Sequence, residues 1–397
     1  MIITLTKKQE QGLKIAVERY RLGEKYTTIA GFAGSGKTTL IQFIISALNV
    51  DPEEEVAYVA YTGKASTVLQ SKGCPNAITA HKLLFNARAL PNGTYKFFPK
   101  STLDKNFKVV VVDEISMLPM ALWQQLLRHP VYILACGDPG QLPPVSKDED
   151  NHVLDNPHIF LDEIMRQAQD SEIIRLSQHI RQGGELSTFQ CLGEQVQILN
   201  KEDVVTGMYE WADQIICATN QQRNNINNIV RAQKGFQAEP CVGDKIISLK
   251  NHWDILSSNQ EWALTNGTIG TIEDYDKRDI KVPKYIYDKP IPYMFTTISL
   301  EDNSNFIALP IDYQALTTGT PCLSDREAYL LNKNTLTLDA PFNFTYAYGI
   351  TAWKAQGSEW PKVLGFEEAF PFDPETRMRE MYTLSTRASE KLVIIKK

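Results

Sequence analysis

Short apolar runs alternate with helix-spaced apolar positions through the first half of the chain. Thr27 to Ala30, Glu55 to Ala60, Lys108 to Val112 and Val131 to Cys136 read as buried strands. Thr38 to Leu48 and Ala121 to Arg128 read as helices between them. That rhythm predicts a parallel sheet with helices on its faces. It returns later, with a strand at Gln214 to Ala218, a helix at Gln221 to Lys234 and a last strand at Leu392 to Lys396. Two α/β domains are therefore expected. Two stretches break the pattern. Asn86 to Lys100 carries Asn92-Gly93 between short runs, which predicts a β-hairpin with a tight primed turn. From about Val242 to Asn343 the chain is rich in Val, Ile, Thr, Tyr and Pro, with turn signals at Asn266-Gly267 and Asp302-Asn303; it predicts a β-rich insert in the second domain.

Composition narrows the classes of function. The 397 residues are 43% hydrophobic and 22% charged, which is globular material for two or three domains. A net charge of −6 excludes bulk positive charge as the means of holding nucleic acid, so such a partner needs a local groove. The cysteines (Cys74, Cys136, Cys191, Cys217, Cys241, Cys322) are scattered without a C-x-x-C pair, which argues against zinc, iron–sulfur clusters and disulfides and for a reducing cytosol. The start, MIITLTKKQEQGLKIAVERY, lacks the apolar run of a signal peptide, and no stretch approaches the ~20 apolar residues of a membrane span. The expected setting is cytoplasmic, with no membrane partner.

Against that background, Gly31-Phe-Ala-Gly-Ser-Gly-Lys-Thr38 fits the phosphate-loop pattern G-x-x-x-x-G-K-[ST] between a strand and a helix. Gly31, Gly34, Ser35 and Gly36 would turn backbone N–H groups toward phosphate, aided by the helix N-terminus, with Thr39 following. Lys37 would bridge the β- and γ-phosphates of ATP, and the Thr38 hydroxyl would ligate Mg²⁺. The valine strand Val109 to Val112 delivers Asp113 as the partner of that metal and Glu114 as general base for an attacking water. A nucleotide kinase or a GTP switch does not need this adjacent pair, so hydrolysis of ATP is favoured. Gly137 to Val145, GDPGQLPPV, places Gln141 where its amide could report on the γ-phosphate; alternatively the segment is a proline-rich turn.

The phosphate loop, VDEISM at Val112 to Met117, GDPGQLPPV, KAQGSE at Lys354 to Glu359 and YTLSTRA at Tyr382 to Ala388 occur in the order found in superfamily 1 helicases. Their wording resembles the class B branch, the RecD-like and phage Dda-like DNA helicases, over nearly the whole chain. The resemblance implies an α/β fold of two RecA-like P-loop domains with a β-hairpin insert and a β-rich, SH3-like insert. On that pattern residues 1–85 and 101–165 form the first domain, 86–100 the hairpin, 166–245 and 344–397 the second domain, and 246–343 the β-rich insert. It also implies an ATP-dependent helicase that moves 5′ to 3′ on single-stranded DNA. Gln9 would read the adenine edge or pair with Thr6 as a helix cap, and both can hold together. Arg166 and Arg387 would meet the γ-phosphate, the latter from the second domain. Gln356, Gly357 and Glu359 would lie at the nucleotide, Glu359 near the ribose hydroxyls.

The same resemblance traces a DNA track. Thr62 and Lys64 (in a segment where Tyr61 replaces the family's usual proline), Thr79, His81, Thr351 and Lys354 would contact the strand. Trp353, which replaces the usual histidine, would either stack on a base or fill the domain interface. Phe97 and Phe98 on the hairpin would either wedge the fork or pack the hairpin on its own domain, with period-2 alternation setting Tyr95 and Phe97 on one face and Phe98 on the other. Implied partners are single-stranded and forked DNA, and replication or recombination proteins such as a single-strand binding protein, for a monomer in bacterial or phage-infected cytoplasm. Two other readings compete: a translocase that strips proteins from single strands, and a nucleotide-switch DNA-binding protein with slow turnover.

Overall fold

Four successive valines leave a strand with no polar face, so Val109–Val112 has to lie inside a sheet covered on both sides. In the computed structural model it does. The model describes residues 4–61, 65–66, 69–70, 73–89, 95–143, 152–165, 169–250, 252–259, 263–334, 339–368 and 373–397; of 87–89, 95–97, 253 and 254 it describes the backbone. The chain divides into two compact units, one of residues 1–85, 99–219 and 351–397 and one of residues 86–98 and 220–350.

The first unit holds two sheets. In the first, the strand order is Ala77–Thr79, Val56–Ala60, Val109–Val112, Tyr132–Gly137, Tyr26–Gly31 and Ile159–Leu161, every pair parallel. Val109 and Val111 face a layer with Ile29, Leu40, Ile44 and Leu134, to which helices Lys7–Arg21 and Lys37–Leu48 contribute. Val110 and Val112 face the other layer, with Leu122, Trp123 and Leu126 of helix Met120–Leu127. The second sheet runs Gln214–Cys217, Trp360–Phe366, Ala388–Ile395 and Val196–Leu199, also parallel. Helix Pro374–Ser385 joins two of these strands; Asp373 caps it by accepting from Thr376 N at 2.9 Å, and Pro374 opens it, where its missing N–H costs nothing. Parallel sheets flanked by helices, twice over, are the RecA-like α/β arrangement expected.

Several limits differ from the sequence reading for local reasons. The last strand begins at Ala388 rather than Leu392, because its exposed, polar Ser389-Glu390-Lys391 start masks the pairing with Trp360–Phe366. Ala77–Thr79, Ile159–Leu161 and Val196–Leu199 are too short to show a period. Among the described residues no helix is long and apolar enough to cross a membrane.

In the second unit, strands Phe85–Ala89 and Tyr95–Pro99 pair as the expected hairpin, starting at the unit's edge in the chain; its Asn92-Gly93 turn lies outside the described residues. The β-rich stretch forms an antiparallel sheet in the order Asn305–Asp312, Ile291–Ser299, Ile269–Ile280, Lys245–Ser248 and Phe344–Tyr346. Ile246, Ile272, Met294, Phe306, Ile311 and Phe344 fill its core. Gly270 has to be glycine, since a Cβ there would lie 2.2 Å from Ile298 Cγ2 and 2.7 Å from the Ser299 carbonyl. Helix Asn220–Gln233 is tied to this sheet by a buried ion pair. Arg231 Nε donates to Asp244 Oδ1 at 2.9 Å and Nη2 to Oδ2 at 3.1 Å, while the guanidinium lies 4.1 Å from the Tyr346 ring centroid. Asp244 is fully buried and also accepts from Cys241 N at 2.8 Å and the Tyr348 hydroxyl at 3.0 Å. Asp244→Ala strands the guanidinium without its counter-charge, so urea denaturation should show a loss of about 3–5 kcal/mol. A loss under about 1 kcal/mol would mean that the pair does not hold helix to sheet.

Candidate nucleotide site

Strand Tyr26–Gly31 runs straight into the phosphate loop, and helix Lys37–Leu48 leaves it. Gly34 and Gly36 have φ of 74° and 78°, in the left-handed region that costs an L side chain strain. A Cβ on Gly36 would lie 2.5 Å from Gln9 Nε2, and one on Gly31 would lie 2.6 Å from Ser35 Oγ. No side chain caps the helix, so its first N–H groups are left for an anion. Ser35 Oγ is buried without a hydrogen-bond partner, and Thr38 is exposed at the loop. This donor set suits a phosphate chain, with the Thr38 hydroxyl open to a cation beside it. Lys37 Nζ is drawn over the loop by the carbonyls of Gly31 at 2.7 Å and Phe32 at 3.1 Å.

Of the two roles weighed for Gln9, the helix cap is present in the structure. Its backbone N–H donates to Thr6 Oγ1 at 3.2 Å and its Oε1 accepts from Thr6 N at 3.0 Å, a complete capping box. Its Nε2 meanwhile donates to the carbonyls of Ser35 at 3.3 Å and Gly36 at 3.4 Å, so the buried amide supports the loop directly.

The valine strand ends at Asp113 and Glu114. Glu114 takes φ 49° and ψ 49°, an uncommon conformation for a side chain of this size. Its N–H donates to Asp113 Oδ1 at 3.0 Å, which also accepts from Cys136 Sγ at 3.3 Å. Burial, followed by the Asp113 carboxylate, raises the Cys136 thiol well above its ordinary value. Gln141 Nε2 donates to Glu114 Oε1 at 3.2 Å. Burial first, then the Asp113 charge, raises the Glu114 carboxyl; Arg387 and Lys37 pull it down, and Asp138 pushes it up. Arg387 itself is 6% exposed, held by Nε to the Thr383 carbonyl at 3.1 Å, Nη1 to the Ser358 carbonyl at 3.1 Å and Nη2 to Thr386 Oγ1 at 2.9 Å. Lys37, Asp113, Glu114, Gln141 and Arg387 therefore form one electrostatic cluster drawn from both sheets.

A family model described as an AAA domain matches residues 4–207, just over half the chain, and one described as a UvrD-like helicase C-terminal domain matches residues 346–395. The chain belongs to the AAA domain family. The ATP-dependent DNA helicase dda of Enterobacteria phage T4 is 31% identical over 149 residues, which are 36% of this chain and 34% of that protein. The ATP-dependent RecD2 DNA helicase of Deinococcus radiodurans is 25% identical over 93% of this chain and 46% of its own length. A solved structure of Pif1 helicases at forked duplex DNA is similar in fold, with 18% identity and a TM-score of 0.50 over 99% of this chain and 92% of that one. The chain spans between 18% and 46% of the length of the named relatives it matches.

The remaining residues singled out from the sequence fall in several settings. Arg166, Thr62, Lys64 and the side chain of Phe97 lie outside the described residues. Thr79 caps helix Ala80–Leu84 by accepting from Lys82 N at 3.2 Å. His81, expected at the DNA strand, is instead buried and stacks on Phe85 with ring centroids 5.5 Å apart; burial lowers it to about 3, so it packs as a neutral ring. Phe98 is 39% exposed. Thr351 is buried at the N-cap of Ala352–Ala355, the turn that carries half-buried Trp353 and Lys354. Gly357 has φ 69°, Glu359 is half-buried, and Trp360 is a buried residue of its strand.

Asp138, Tyr382 and Thr383 lie inside the motifs above, where sequence alone assigned them no role; Gln356, expected near the nucleotide, is buried and donates through Nε2 to the Leu142 carbonyl. Gly36→Ala combines a strained φ with a contact on Gln9, so a fluorescent ADP analogue should bind about tenfold or more weakly in titration. Unchanged affinity would show that the loop does not cradle the phosphates.

Proposed function

We propose that the chain is an ATP-driven motor that translocates 5′ to 3′ on single-stranded DNA and unwinds duplex. The observation that carries this reading is the setting of Glu114, a raised carboxyl joined by Gln141 and faced by Lys37 and Arg387. Gly31, Gly34, Ser35, Gly36, Lys37, Thr38 and Thr39 would hold the phosphates, and Gln9, Gly357 and Glu359 the rest of the nucleotide. Thr38 and Asp113 would hold Mg²⁺, whose charge would offset that of the phosphate oxygens. Glu114, oriented by Gln141, takes a proton from the attacking water; its raised proton affinity makes it a stronger base than an exposed glutamate. Lys37 and Arg387, with Arg166, meet the charge that spreads over the γ-phosphoryl oxygens.

The DNA side of the proposal uses Thr62, Lys64, Thr79, Thr351 and Lys354 for backbone contacts, which position a strand without demanding a basic chain. Trp353 would stack on a base, and Phe97 with Phe98 would sit at the fork. The proposed limits of the four domains are those read from the sequence, and the proposed setting is a monomer in bacterial or phage-infected cytoplasm, acting with other replication or recombination proteins.

ATP hydrolysis with and without single-stranded DNA, and unwinding of forks tailed on either strand, tests the reading. Stimulation by DNA and unwinding from a 5′ tail are expected; no stimulation, or unwinding only from a 3′ tail, would sink it. The pH profile supplies a second check. A raised carboxyl is fully charged only above its elevated value, so kcat should fall with acidification on a limb lying above pH 4.5, the ordinary glutamate value. Glu114→Gln should lower kcat by about 100-fold or more and abolish that limb. Survival of the limb in the variant would assign the proton transfer to another group.

A further inference from the structure

The helix that precedes Arg387 makes a contact that the hydrolytic chemistry above does not use. Tyr382, 1% exposed, accepts a hydrogen bond on its hydroxyl from the Ala33 N–H of the phosphate loop at 2.8 Å. The same hydroxyl donates to Asp138 Oδ2 at 2.6 Å, a short bond of the charge-assisted kind. The other oxygen of Asp138 accepts from Gly140 N at 2.8 Å, and its backbone carbonyl accepts from Gln141 N at 3.3 Å. One residue further along, Leu142 is held at both backbone groups from the second sheet's side. Its N–H donates to Thr383 Oγ1 at 2.9 Å, and its carbonyl accepts from Gln356 Nε2.

We propose that Tyr382 is a positioning residue for hydrolysis, a latch that fixes the phosphate loop and the Gly137–Pro143 loop in one register with the segment bearing Arg387. Three observations converge on it. A hydroxyl with one accepted and one donated bond, to two loops 105 residues apart in sequence, defines a geometry that no other group at that place supplies. The loop it grips carries Gln141, whose amide holds Glu114. Gly140 leaves room for the contact, because a Cβ there would lie 3.1 Å from Tyr382 Cε1, 3.2 Å from Asp138 Oδ1 and 3.3 Å from Phe32 Cδ1. Phe32, the loop residue before Ala33, is also gripped by the Arg181 guanidinium, 3.6 Å from its ring centroid. The phosphate loop is thus held at two adjacent positions by side chains that lie outside the first sheet. Burial, and next the Asp138 charge, raises the Tyr382 phenol far from titration, so the latch does not open with pH. Movement of the Arg387 segment would be felt at Gln141 through this hydroxyl, which gives hydrolysis a direct mechanical dependence on how the two sheets stand.

The inference rests on the ATP-hydrolysis reading, and Tyr382→Phe tests it because the ring is kept and the hydroxyl alone is lost. The expected result is a fall in DNA-stimulated kcat of about tenfold or more with KM for ATP within about twofold. Asp138→Ala should lower kcat as well, and the double variant should be no slower than the slower single one. Hydrogen exchange in nucleotide-free protein should quicken over residues 31–36 and 137–143 in Tyr382→Phe. Exchange as in the wild type, additive losses in the double variant, or parallel falls in kcat and ATP affinity would overturn the latch. A wild-type chain that turns over no ATP would overturn the functional reading, while the exchange measurement still decides whether the hydroxyl ties the loops.

Discussion

Two carboxylates in succession at the buried end of a strand set the condition that this protein has to meet. Asp113 and Glu114 share a hydrogen bond through the Glu114 N–H, and in a medium that screens poorly their like charges oppose one another. The chain answers with cations from two directions. Lys37 stands at the start of the helix that follows the phosphate loop, and Arg387 lies between helix Pro374–Ser385 and strand Ala388–Ile395 of the second sheet. Both cations counter the upward push that burial and Asp113 exert on the Glu114 carboxyl. The packing of the first unit is therefore also its chemistry: a displacement of the second sheet's residues is a displacement of charge at Glu114.

The local framework around that pair is stiff for reasons that can be followed atom by atom. Left-handed glycines shape the phosphate loop, the Gln9 amide braces it from helix Lys7–Arg21, and the Gly137–Pro143 loop is stitched at Asp138 and Leu142. The second unit rests on a different device. Its helix and sheet are joined by Arg231 and Asp244, an ion pair whose burial is tolerable because three further donors, from Cys241, Tyr348 and the second guanidinium nitrogen, satisfy the carboxylate.

What could be read from the chain alone follows the range of the forces involved. The phosphate loop, the valine strand and the hairpin were legible because glycine conformations, β-branched burial and turn chemistry are decided within a few residues. Gln9 was legible as part of a helix cap from its spacing to Thr6. The bond from Tyr382 to Asp138 crosses 244 positions, and nothing within either motif's spacing announces it. His81 was placed at the DNA strand by family pattern alone, and its burial against Phe85 is set by the surrounding fold. The strand start at Ala388 was hidden because the side chains of Ser389, Glu390 and Lys391 stay in water and the pairing with Trp360–Phe366 shifts register there.

The central claim is that residues of the second sheet complete the catalytic charge of the first. Arg387→Ala addresses it most directly, through kcat for DNA-stimulated ATP hydrolysis measured beside the dissociation constant for ATP. A fall in kcat of about a thousandfold, with ATP affinity changed by only a few fold, is the result expected of a guanidinium that acts on the developing phosphoryl charge. A variant that keeps most of its kcat would contradict the account, and would return Arg387 to a structural role among Thr383, Ser358 and Thr386.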